Sequence, residues 1–332
     1  MTDATAAAAY DVVGVGNAIV DVLARTDDAT LARLGLRKGA MTLIEADRAA
    51  ELYELMGPAI EVSGGSAANT LAGIASLGGT GAYIGKVRDD TLGEVFRHDI
   101  RAAGVTYRAK PAADGPTTAR CLIFVTPDAQ RTMQTSLGIS TEFGPDDVDP
   151  ELIGAARITY LEGYLFDKEP AKEAFVKAAE LAHHAGRKVA LSLSDPFCVE
   201  RHRGAFRHLV AGHVDILFAN EAEITALYQV GDFDEACVRV GRDCGFAAVT
   251  RGADGSVIVK DGEPTPIAAA PVDRVVDTTG AGDLYAAGVL YGLARGFEPE
   301  ECGRMGSIAA AEVIGHFGAR PEARLAGLLA RA

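Results

Sequence analysis

The chain lacks any surplus of basic residues: 46 Asp and Glu outnumber 32 Lys and Arg, for a formal net charge of −14. Affinity for a phosphate backbone comes from clustered Lys and Arg that release counterions, so this charge argues against a nucleic-acid partner. Its cysteines, Cys121, Cys198, Cys237, Cys244 and Cys302, include no Cys-x-x-Cys pair, and no His stands at zinc-ligand spacing. Buried, reduced thiols are the reading that leaves. No apolar run approaches a membrane span, and Met1 to Ala9 lacks the basic start and long apolar stretch of a secretory signal. The expected compartment is the cytoplasm, with no membrane partner. Internal repeats and linkers are absent too, and the Ala-rich start is the sole biased segment.

What is present is an ordinary globular composition, with 48% hydrophobic and 23% charged residues over 332 positions. That is enough apolar material for one large α/β core. Short apolar runs at 11–15, 82–87, 158–161, 188–192, 216–219 and 247–250 alternate with helical patterns at 67–76, 91–103, 171–185, 221–228 and 283–294. This alternation predicts a mainly parallel sheet flanked by helices. Asp90 and Pro170 stand where a helix cap and a first-turn proline belong. Two stretches, about 22–44 and 107–137, break the rhythm. The second reads as a hairpin, with strand 120–125, a turn at 127–130 and alternation resuming at Arg131. We expect one domain over 1–332, with these two stretches forming a small β-rich lid.

Three small-residue turns carry the chemical signals. Gly280-Ala281-Gly282-Asp283 opens an apolar helix. There, unpaired N–H groups and the helix dipole favour an anion, and glycines let a phosphate approach the backbone. Asp283 is either a cap or a carboxylate beside that anion. Gly64-Gly65-Ser66-Ala67-Ala68-Asn69 also opens a helix, and Asn69 offers a donor and an acceptor to sugar hydroxyls. Close packing fits the same string. Gly14-x-Gly16 has Ile19 where a dinucleotide fingerprint needs its third glycine, which argues against a dehydrogenase. Asn17 and Asp21 could bind vicinal hydroxyls or simply end a solvated strand. Asn220 to Glu223, and Thr250-Arg251-Gly252, follow strands on the rim where ligands gather. Glu223 suits Mg²⁺ or its waters, although cap and turn chemistry accounts for both segments equally well.

In their order, these segments resemble the ribokinase or PfkB-type carbohydrate kinases, over about 11–319. Asp277 to Asp283 is similar to that family's C-terminal signature, Gly64 to Asn69 to its N-terminal one, and Asn220 to Glu223 to its Asn-x-x-Glu element. Gly16 to Asp21, Leu193 to Phe197, and Pro116-Thr117-Thr118 followed by Arg131 resemble its adenosine-kinase branch. The resemblance implies transfer of the ATP γ-phosphoryl group to a primary 5′-hydroxyl, adenosine to AMP. It further implies Asp283 as base, with Gly280, Ala281 and Gly282 as anion hole. Asn17, Asp21, Gly64, Gly65 and Asn69 would hold the sugar, with Arg131 over the transferring phosphate. Asn220, Thr250, Arg251 and Gly252 would lie toward ATP, and Glu223 toward Mg²⁺. Asp277 matches a position near which some relatives bind K⁺. A monomer or a lid-mediated homodimer fits. The nucleobase pocket is less aromatic than in that branch, with Tyr164 and Phe166 as candidates, and Asp195 replaces a small residue. The alternatives are a kinase of ribose, fructose or a keto-deoxy acid and, outside enzymes, a non-catalytic nucleoside or sugar sensor.

Overall fold

The first strand, β1 (Tyr10–Val15), is apolar almost without interruption, and Val12 and Val13 point into different cores. Such a run belongs to a sheet covered on both faces. The structure, a computed structural model, describes residues 8–128 and 130–330. The segment before position 8 and Ala129 of the expected hairpin turn lie outside the described residues.

In chain order the remaining strands are β2 (Ile19–Arg25), β3 (Met41–Leu43), β4 (Ala59–Gly64), β5 (Gly81–Ile84), β6 (Val105–Tyr107), β7 (Ala119–Val125) and β8 (Arg131–Ser136). Then follow β9 (Ala156–Glu162), β10 (Lys188–Ser192), β11 (Ile216–Asn220), β12 (Phe246–Thr250), β13 (Ser256–Lys260) and β14 (Glu263–Ile267). Nine of them form one sheet in the order β14-β13-β12-β11-β10-β9-β1-β5-β6. It is parallel from β12 to β6, and β13 and β14 add an antiparallel edge. The expected mainly parallel, helix-flanked sheet is the observed architecture. From β1 the chain moves to β5 and β6 on one side, and later to β9 and onward on the other. The strand order thus reverses at β1 and β9, and the carboxyl ends of strands at such a switch point are where these sheets bind ligands.

The remaining five strands pair as β3-β8-β7-β2-β4. One face of this second sheet, with Val20, Val22, Leu122 and Phe124, packs into the main core beside Leu31, Leu52 and Phe96. The other face carries Ile19, Cys121 and Ile123, with Leu23 and Met133 packed on them. Period-two alternation and strand register set Asp21 and Arg131 on that same face. Edge strand β4 falls in neither stretch from which the lid was expected. Its outer residues are exposed, Ile60 at 70%, so no buried apolar run announces it. The expected strand 82–87 stops at Ile84, where Gly85 lies against the Gly16 carbonyl.

Candidate active site

Helix Ala281–Ala294 is apolar around its whole circumference, the mark of a helix buried in the core. Its N-terminus opens with Gly280 at φ 79°, where an added Cβ would meet the Ala319 Cα and carbonyl oxygen at 2.7 Å, so only glycine makes this turn. An added Cβ at Gly282 would meet nothing within 4 Å. The first-turn N–H groups of Gly282 and Asp283 have no acceptor within their own helix.

Asp283 does not cap this helix. Its Oδ1 accepts from Ser66 Oγ at 2.6 Å and its Oδ2 from Asn69 Nδ2 at 3.0 Å, both on helix Ser66–Ser76. Burial holds the carboxyl above the usual carboxylate range, and these two hydrogen bonds oppose the shift. The helices meet closely because Gly73 lies against Leu284 and Ala287.

The expected acceptor residues converge on the same place. Gly64 has no side chain because the Asp21 carboxylate lies against it, and Gly65, at φ 97°, lies against the Asn17 carbonyl. Burial pushes Asp21 up to about 6, with Arg320 and then Arg131 pulling it down and Asp283 pushing it further up. Asn17 donates from Nδ2 to Glu162 Oε1 at 2.9 Å, and Ala67 N donates to Glu162 Oε2 at 2.9 Å. Burial raises Glu162 to about 7 against those bonds. So Asn17 is buried and committed, and it does not end a solvated strand.

Sequence reasoning missed three members of this cluster. Glu162 ends β9 on the rim that the topology rule singles out. Ser66 sits inside the quoted Gly64–Asn69 string. Arg320 lies one residue past the end of the resemblance. Its Nε donates to Asn69 Oδ1 at 3.4 Å, and its Nη1 stands 3.5 Å from Asp99 Oδ2.

Arg131 reaches across from β8 to form a buried ion pair with Asp277, and its Nη1 donates to Thr279 Oγ1 at 3.1 Å. Asp277 Oδ1 also accepts from Thr279 N at 3.0 Å and Oγ1 at 2.8 Å, and its Oδ2 from Gly318 N at 3.0 Å. The cation beside Asp277 is thus the Arg131 guanidinium, and K⁺ could join this carboxylate only after Arg131 leaves. Arg120, on β7, turns to the opposite face, over the Tyr53 ring at 5.7 Å and toward the Ala46 carbonyl.

Toward the far side of the rim, Asn220 and Thr250 are register partners at the ends of β11 and β12. Asn220 and Glu223 form a reciprocal cap: Asn220 Oδ1 accepts from Glu223 N at 2.8 Å, and Glu223 accepts from Asn220 N at 2.9 Å and Nδ2 at 2.7 Å. Burial pushes Glu223 up to about 7. Arg251 pairs with Glu221 at 3.1 Å and stacks 4.4 Å from the Phe233 ring centre, beside Gly252 at φ 58°. Among the described residues no group of three or more His, Cys, Asp or Glu forms a metal cage. Both Glu223 oxygens accept from Asn220, so the carboxylate would meet a Mg²⁺ only through a water. Phe166 is lost to the core against Phe175 and Phe206, so of the two aromatic candidates only Tyr164, 40% exposed, can face a ligand. Asp195 caps helix Pro196–His213 through Phe197 N and Cys198 N.

Comparison with known proteins adds independent findings. The profile of the pfkB family carbohydrate kinases matches residues 43–324. A probable sugar kinase from Rhizobium etli CFN 42 superposes with a TM-score of 0.91 at 50% identity, over 98% of each chain. Adenosine kinase from Sinorhizobium meliloti superposes with a TM-score of 0.90 at 53% identity, over 97% of this chain and 99% of its own. Adenosine kinase from Saccharomyces cerevisiae is 28% identical over 328 residues, 92% of this chain and 95% of that protein.

Proposed function

The chain belongs to the pfkB family of carbohydrate kinases, an ATP-using phosphotransferase of nucleosides or sugars, and from that premise we propose that it phosphorylates the 5′-hydroxyl of a nucleoside, adenosine foremost. One observation carries this reading: Asp283, free of capping duty, is held by Ser66 and Asn69 where Asn17 and Asp21 also converge.

Asn17, Asp21 and Asn69 bind the ribose hydroxyls and set the primary hydroxyl against Asp283. Asp283 then takes the hydroxyl proton as attack on the γ-phosphate begins, and its raised proton affinity suits that role. The N–H groups of Gly282 and Asp283 meet the charge that develops on the phosphate oxygens. Arg131 exchanges Asp277 for the phosphate, and the second sheet acts as a lid that excludes water. Mg²⁺ brought with ATP would neutralise phosphate charge, with Glu223 and Asn220 ordering its waters. Thr250, Arg251 and Gly252 border the nucleotide.

The adenosine preference rests on the adenosine kinases among the relatives, while the Rhizobium etli chain keeps a sugar in view. ATP turnover over adenosine, other nucleosides, ribose and fructose tests it. We expect the highest kcat/KM with adenosine, and a tenfold preference for a free sugar would overturn it.

A further inference from the structure

The chain contains three asparagines, Asn17, Asn69 and Asn220, and all three stand in the cluster and rim described above. Asn69 is the one whose two ends meet groups of opposite kind. An asparagine amide offers a carbonyl oxygen at one end and an NH₂ at the other. The Asp283 carboxylate can only accept, and it takes Nδ2 at 3.0 Å. The Arg320 guanidinium can only donate, and it takes Oδ1 at 3.4 Å. Flipping the amide would turn oxygen to oxygen at Asp283 and N–H to N–H at Arg320. Both partners therefore enforce one orientation.

Arg320 is itself fixed from the second sheet. Its Nη1 lies 3.5 Å from Asp99 Oδ2 on helix Thr91–Ala102, and that oxygen also accepts from Ser63 N at 2.8 Å and Ser63 Oγ at 2.5 Å. Ser63 belongs to β4 and immediately precedes Gly64-Gly65. Arg320 Nη2 is buried without a hydrogen-bond partner. That unpaired N–H carries a desolvation cost, which the contacts with Asn69 and Asp99 offset in part.

We propose that Arg320 is a positioning residue for phosphoryl transfer: it orients the Asn69 amide onto Asp283 and ties that orientation to the seating of strand β4 through Asp99 and Ser63. It acts chiefly through Asn69, while its charge also bears on the neighbouring Asp21. The proposal rests on the reading of Asp283 as the base, and its test is chosen to separate the two.

The full chain is labelled with ¹⁵N-asparagine, and the three side-chain amide pairs are assigned by difference from Asn69→Ala. No acceptor is needed. In Arg320→Met the Asn69 pair is expected to shift and to exchange faster with water, leaving the Asn220 pair in place. An unmoved Asn69 pair would overturn the proposal, whatever the enzyme's acceptor proves to be. In turnover assays Arg320→Met should lower kcat about tenfold with KM for ATP unchanged, as misorientation of a reacting group does. Arg320→Lys, which keeps one donor and the charge, should recover part of the loss. In an Asn69→Ala background, Arg320→Met should cost little further. Additive losses, or a lowered thermal midpoint with wild-type kcat, would overturn it. A wild-type chain that phosphorylates no nucleoside or sugar would sink the kinase reading, and the amide spectrum would still decide the role of Arg320.

Discussion

The proposed acceptor side and the proposed nucleotide side of the site are wired differently. At the acceptor side, carboxylates bond to partners far along the chain: Asp283 to Ser66 and Asn69, 217 and 214 positions away, and Glu162 to Asn17, 145 positions away. At the nucleotide side, Glu223 bonds to Asn220, three positions away. Distant partners come together only when the whole fold is in place, whereas a cap forms with its own helix. Geometry around Asp283 is thus a tertiary property and geometry around Glu223 a nearly local one. Damage on the acceptor side should appear in kcat, and damage at the rim in helix stability and ATP affinity.

The sharpest way to break this contrast is Asp283→Asn. It keeps the shape and should lower kcat by about 10²–10⁴-fold, the contribution of a positioned general base, with the thermal midpoint nearly unchanged. Wild-type turnover would abolish the distinction. Arg131→Ala should lower kcat by about 10²-fold, the usual cost of one transition-state donor, while ATP affinity by equilibrium titration stays near wild type. A loss confined to KM would make Arg131 a structural strut.

Asn220→Ala removes a reciprocal cap, so we expect a stability loss of about 1 kcal/mol and weaker ATP binding, with kcat at saturation little changed. The buried carboxylates sharpen the comparison through pH. The folded chain binds the Glu162 proton more tightly than the unfolded chain does, its value rising from 4.5 to about 7. That contribution is complete below pH 4.5 and is lost as pH rises through 7. Glu162→Gln should therefore flatten the fall of the thermal midpoint across this window, and an unchanged slope would contradict the burial argument. The smallest effect concerns monovalent cations. Because Arg131 occupies Asp277 until it moves to the phosphate, replacing K⁺ by Na⁺ should leave the thermal midpoint of the ATP-free chain unchanged, and a shift would place an ion beside Asp277 with Arg131 still paired.

Legibility in the sequence followed the same division. The buried strands announced themselves as apolar runs, and the turns before Ala67 and Asp283 as small-residue strings, because local sterics dictate both. The Asn220–Glu223 cap was legible for the same reason. Glu162 was not: a single Glu after a strand gains meaning only when β9 lies beside β1 and its carboxylate meets Asn17 and Ala67 N. Arg320 is silent in the sequence because its partners, Asn69 and Asp99, come from two other helices. Edge strand β4 went unread because its outward residues are exposed, and Phe166 looked available until its packing against Phe175 and Phe206 was in view.

Only three residues, Gly16, Asn17 and Ala18, separate β1 of the large sheet from β2 of the small one, and Gly65 alone separates β4 from helix Ser66–Ser76. The two crossings touch, since Gly65 packs against the Asn17 carbonyl. Together they mark an axle between the sheets, and in any swing about it displacement grows with distance from the line. Asn17, anchored to Glu162, sits on the axle and would stay nearly still. Arg131, two strands out on β8, rides a longer arm and would sweep further. One rotation would thus leave Asn17 undisturbed while carrying the Arg131 guanidinium toward or away from the turn that opens helix Ala281–Ala294.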